Sequence, residues 1–162
     1  MQHHLNNALP IVAAAYGHKF GVQVCIEGSS AYTDGNRIVI PAADPATPDY
    51  RDLAWGFLAH EAAHIRHTDF EVVETSTNRP IRKAVLNIIE DIRIEQALGH
   101  DYPGTRKTLH QLVKCLIDQG QIDYTPAGQE LMHPAALLQT WLLFRLRSRV
   151  LKQETLNPLY QQ

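Results

Sequence analysis

From Tyr50 to His67 the chain meets one helix breaker, Gly56, and no other stretch constrains the fold as much. Helix formers dominate this run, and it contains His60-Glu61-Ala62-Ala63-His64. Residues four apart share a helix face, so His60 and His64 stand one turn apart and both imidazoles can reach one ion. Glu61 projects about 100° further round, beside such an ion rather than onto it. Ala54, Trp55, Leu58, Ala62 and Ile65 cover the opposite side, so the helix is expected to be buried on its back.

Two histidines and a glutamate at this spacing suit a hydrolytic Zn2+ site. Three protein ligands leave a fourth position for water, whose pKa falls toward neutrality, and Glu61 is then the candidate general base. A chain with nine histidines can also spell HExxH by chance, so the third ligand carries the argument. The metzincin spacing is excluded, because His67 and Phe70 occupy the positions where its glycine and histidine would fall. His67 shares the face of His60, but three ligands within two turns would crowd one ion; it is expected behind the ligands or at the surface. The better source is the next helix, where Glu90, Asp91 and Glu95 interrupt an apolar run of Val85, Leu86, Ile88, Ile89, Ile92 and Ile94. That helix is expected to be buried on nearly every side. Buried carboxylates must be paired or hold a metal. Either they pair with Arg93 and Arg82, or one completes a His-His-carboxylate site. Asp91 and Glu95 share a face and Glu90 lies about 100° away, so periodicity does not choose among them.

HExxH followed by "IEDIRIEQALG" resembles the N-terminal, metallopeptidase-like region of CobT-type proteins, large chains with a C-terminal von Willebrand factor A (VWA) domain. The recurring pattern is carried here by Glu90, Asp91, Arg93, Ile94 and Glu95, and the resemblance spans about residues 20 to 100. It implies a zincin-like fold with Glu90 as third ligand, by analogy with gluzincins. Asp91 or Glu95 would then orient a histidine, and Arg93 would stand behind the ligands. No VWA domain and no DxSxS motif are present, so residues 1–162 are expected to be one domain of a longer chain.

The remaining sequence reads as mostly helical with a small β-hairpin, an α+β domain. Helices are expected over Leu5–Phe20, Tyr50–His67, Pro80–Leu98 with Gly99 as its stop, Thr105–Gly120 and Pro134–Lys152. "VQVCIEG" and "RIVIP" read as strands, with a hairpin turn at Asp34-Gly35-Asn36. In zincins an edge strand beside the motif helix binds substrate by strand addition, and "RIVIP", ending in Pro41, is the candidate.

A net charge of -2 recruits neither nucleic acid nor an anionic membrane. The "ALPIVAAAYG" run lacks the basic start of a signal peptide, and "LLQTWLLFRLRSRVL" is too short and too basic to span a bilayer. Cys25 and Cys115, far apart and outside any CxxC, suggest two buried free thiols in a reduced, cytoplasmic protein. Arg145, Arg147 and Arg149 read as a solvated helix face, and Trp55 and Trp141 as core.

The leading expectation is therefore a zinc metallopeptidase acting on a peptide or protein, with His60, His64 and Glu90 on the ion. The alternative is a non-proteolytic metal- or partner-binding module, whose VWA region elsewhere in the chain engages a MoxR-type AAA+ ATPase. A metal-free helical domain is the plainest reading of all. A peptidase needs Glu61 for turnover; the other two do not.

Overall fold

The computed structural model describes residues 2–75, 79–122, 132–154 and 156. It is an α+β fold, mostly helical: α1 (Gln2–Gly17), β1 (Gln23–Ile26), β2 (Tyr32–Thr33), β3 (Arg37–Ile40), α2 (Tyr50–His67), α3 (Phe70–Thr75), α4 (Pro80–Asp101), α5 (Thr105–Asp118) and α6 (Pro134–Val150). Among the described residues no helix is long and apolar enough to cross a membrane.

The α2 helix is the hub, touching α1, α4, α5, β2 and β3. Its composition explains how. Leu58 and Ala62 pack on Leu9 and Ala13 of α1 and on Ile38 and Ile40 of β3. Ala59 and Ala63 face Ile94 and Leu98 of α4 and Leu109 of α5. Leu53 meets Leu112 and Cys115. Alanines on several faces let neighbouring helices approach closely, and Gly56 carries this furthest: a Cβ there would lie 2.5 Å from Leu112 Cβ.

The sheet has the order β1-β3-β2. The Asp34-Gly35-Asn36 turn does form a hairpin. Asp34 Oδ1 accepts the amides of Asn36 and Arg37, both at 2.8 Å, and Gly35 adopts φ 91°. However, the hairpin joins β3 to the short β2, while β1 lies parallel to β3 on its other side. The "RIVIP" strand is therefore central, not an edge. Ile38, Val39 and Ile40 are all buried. The outer strand nearer α2 is β2.

Other expectations shift for physical reasons. Gly99 does not end its helix; α4 continues to Asp101, and the missing side chain makes room for Arg106, whose Cγ would lie 2.9 Å from a Cβ there. The α4 helix is buried only toward its C-terminal half, at Ile92, Ile94, Glu95, Leu98 and Gly99, whereas Ile81 and Ile89 are exposed. The short α3 occupies part of what reads as loop. Trp55 packs against the core, but Trp141 is 46% exposed. Both cysteines are free; Cys115 is buried and Cys25 only partly so.

Replacing glycine by alanine inside a helix ordinarily stabilises it by about 1 kcal/mol. At Gly56 the clash with Leu112 reverses the sign. Gly56→Ala is expected to destabilise the fold by roughly 1–3 kcal/mol, read from the denaturant midpoint.

Candidate metal centre

His60 and His64 project from α2 toward α4, and Asp91 of α4 meets them. Asp91 Oδ1 lies 3.3 Å from His64 Nε2 and 3.8 Å from His60 Nε2. One donor atom from each of these three residues falls within 4.8 Å of the others, the one such cluster of three or more among the described residues. The imidazoles stand edge to face, with centroids 4.9 Å apart.

What fixes the rings lies behind them. His60 Nδ1 is 2.9 Å from Glu95 Oε1. Both oxygens of Glu95 are held by Arg147, at 2.7 and 2.9 Å, and both side chains are buried. An ionised carboxylate can only accept, so His60 must donate from Nδ1. The second arm has the same logic. Thr68 Oγ1 donates to Glu90 Oε1 at 2.7 Å, which uses its one proton, so at 2.9 Å it must accept from His64 Nδ1. Arg93 in turn holds Glu90 through Nε at 2.8 Å and Nη2 at 2.7 Å, and also donates to the His67 carbonyl at 2.6 Å.

Both Nδ1 protons are thus committed, and both Nε2 atoms are left facing the Asp91 carboxylate. Three acceptors this close need a shared donor or cation between them. A proton can serve, and the titration of His60 reflects this. Burial alone would depress its pKa, but Glu95, then Asp91 and Glu61, more than reverse the effect and lift it from 6.5 to about 9. A divalent metal ion serves as well, and two imidazoles with one carboxylate are an ordinary ligand set for zinc. The donor set fits the metal.

Glu61 is buried at the floor of the same cleft. Burial raises its pKa above the usual carboxylate value; His60 and His64 pull it down, and Asp91 pushes it up. The cleft, about 310 Å³, opens between the histidines and a wall built by β2 and α3 that includes Tyr32, Thr33, Phe70 and Val73.

Several expected residues change place. The carboxylate that joins the histidines is Asp91, whereas Glu90, the expected third ligand, is taken up by Thr68 and Arg93 and is not in the cluster. The reason is rotational: Glu90 and Asp91 differ by about 100° on α4, and the crossing with α2 turns Asp91 inward. Glu95 stands behind His60, and Arg93 behind Glu90. His67 lies outside the cluster, with Nε2 3.8 Å from Asp101 Oδ2. Arg147, expected on a solvated face, is instead buried against Glu95. Thr68 was not anticipated, although its position one turn after His64, at the helix C-cap, is a signal the sequence carries.

Comparison with protein-family models, curated proteins and solved structures finds no match to this chain.

A pH dependence of the metal-free fold follows. The pKa of His60 is raised by folding, so its contribution is complete below 6.5 and lost as pH rises through about 9. The pKa of Glu95 is lowered from 4.5 to about 2; burial opposes this, but Arg147 and His60 overcome it. Its contribution is complete above 4.5 and lost as pH falls through about 2. Both are fully present between 4.5 and 6.5. Thermal melts of metal-free protein are expected to peak in that window, and the alkaline decline is expected to vanish in Glu95→Gln.

Proposed function

We propose that this domain is a zinc-dependent peptidase of zincin type, with His60, His64 and Asp91 on the ion and Glu61 as general base. The observation that carries this reading is the cluster of His60, His64 and Asp91, whose potential ligand atoms lie within 4.8 Å of one another, with a buried glutamate beside it. A bare 2-His-1-carboxylate set also suits iron. Glu61 favours hydrolysis, because it adds a base at the ligand set. The resemblance of the HEAAH and "IEDIRIE" segments to CobT-type metallopeptidase-like regions supports the same reading.

Zinc bound there would supply Lewis acidity, polarising a carbonyl and lowering the pKa of water. The residues of the chain do the rest. Glu61 takes a proton from the attacking water and delivers it to the leaving amine; its raised pKa makes it a stronger base than an ordinary carboxylate. Glu95 and Thr68 keep Nδ1 of each histidine protonated, so that Nε2 is the nitrogen each ring would offer to the ion. The outer strand β2 replaces β3 as the platform for an extended peptide, since its residues line the cleft. Tyr32, Phe70 and Val73 would give that peptide an apolar surface to lie against.

Metal content of tag-free protein tests the reading. About one zinc per chain is expected in the wild type and none in His60→Ala, His64→Ala. Asp91→Ala is expected to lose the ion, whereas Glu90→Gln, which only loosens the Thr68 arm, should retain it with affinity lower by about 10- to 100-fold. The reverse pattern would put Glu90 on the zinc. Zinc uptake at pH 7 should release protons, because the raised pKa of His60, about 9, favours its protonated form in the metal-free protein. Glu61→Gln should keep the metal while peptide hydrolysis falls by about 100- to 10,000-fold. Full metal with unchanged hydrolysis would remove Glu61 from the mechanism.

A further inference from the structure

The last helix contributes to the metal centre although it supplies no ligand. Arg147 lies 52 residues from Glu95 in sequence, yet its guanidinium reaches Oε1 at 2.7 Å and Oε2 at 2.9 Å. It also approaches Gln153 Oε1 at 3.4 Å, and Gln153 is itself buried. Glu95 Oε1 therefore serves two donors at once, Arg147 from one side and His60 Nδ1 from the other. Around a carboxylate the forked geometry of arginine fixes the plane as well as the position. With that plane set, the remaining acceptor direction of Oε1 dictates where His60 Nδ1 must lie, and so where Nε2 points.

We infer that Arg147 is a positioning residue for the metal centre: through Glu95 it sets the orientation of the His60 ring, and with it the affinity and coordination geometry of the bound ion. The inference rests on the proposed metal site and deepens it. The two arms differ in a way that supports this. Behind His64 the Arg93–Glu90 pair acts through a hydroxyl and lies at the rim, with Arg93 half exposed. Behind His60 the carboxylate contacts the imidazole directly and both partners are buried. Water can substitute for Arg93 at the rim. It substitutes less readily for Arg147, because both Arg147 and Glu95 are buried. Loss of Arg147 therefore releases Glu95 to turn, and the His60 ring turns with it.

Four variants of the full chain test this: Arg147→Met, Arg147→Lys, Glu95→Gln and the double variant Arg147→Met, Glu95→Gln. Zinc affinity is measured by competition with a chromophoric chelator, and coordination geometry by the visible absorption of the Co2+-substituted protein. Arg147→Met is expected to weaken zinc by about 10- to 100-fold and to alter the cobalt spectrum. Arg147→Lys, which keeps the charge but not the fork, should fold and still weaken zinc measurably. The double variant should bind no more weakly than Glu95→Gln alone, because Arg147 acts through Glu95. A purely structural arginine gives another result: lower melting temperature, with zinc affinity and cobalt spectrum of the folded protein unchanged in Arg147→Lys and Arg147→Met. That outcome overturns the positioning role and leaves the metal site standing. If Arg147→Met does not fold, Arg147→Lys decides on the same two readouts. A wild type that takes up neither zinc nor cobalt overturns both the site and this inference.

Discussion

One buried carboxylate ties the fold to its chemistry. Glu95 sits on α4, accepts a hydrogen bond from His60 on α2 and receives the fork of Arg147 on α6. Removing a carboxylate from water costs several kcal/mol unless its oxygens are fully used. Here they are used by groups on two other helices, so the packing of α2, α4 and α6 and the orientation of the site satisfy one requirement. Truncating either partner of such a pair strands the other, at a cost of about 3–5 kcal/mol.

Around that anchor the site is built on gradients of burial. Glu61 and Glu95 are both buried glutamates, yet their pKa values move in opposite directions. Glu95 has a permanent cation in contact and stays ionised. Glu61 has only the titratable histidines, with Asp91 opposing them, so burial wins and its pKa rises. The same residue type is thus a fixed acceptor in one place and, in the proposed function, a proton carrier in the other. Small residues make the arrangement compact enough to work, since Ala59 and Ala63 let α4 lie close to the helix that carries the histidines.

Local chemistry was legible in the sequence wherever it depended on neighbours along one helix. The His60–Glu61–His64 geometry, the α2 span, the Asp34-Gly35-Asn36 turn and the helix-dominated α+β class all follow from periodicity and turn residues. The α4 carboxylates were legible as a group. Which of them faced the histidines was not, because a rotation of about 100° separates Glu90 from Asp91 and only the crossing of two helices sets that angle. The strand order failed for a similar reason. A turn signal reports that two strands pair, but not that a third enters beside them in parallel, and so "RIVIP" lies at the centre of the sheet.

By itself, then, the sequence determined that two imidazoles share one helical face with a glutamate beside them, and that acidic residues lie within reach on the following helix. These are properties of a 3.6-residue period and need no tertiary contact. Only the tertiary structure decided that Asp91 meets the histidines, that Glu90 turns away to Thr68 and Arg93, and that Arg147 leaves a basic run to bury itself against Glu95. Those outcomes depend on helix rotation and on which buried charges must find partners, and a buried charge is satisfied by whatever the fold brings to it, however distant in the chain.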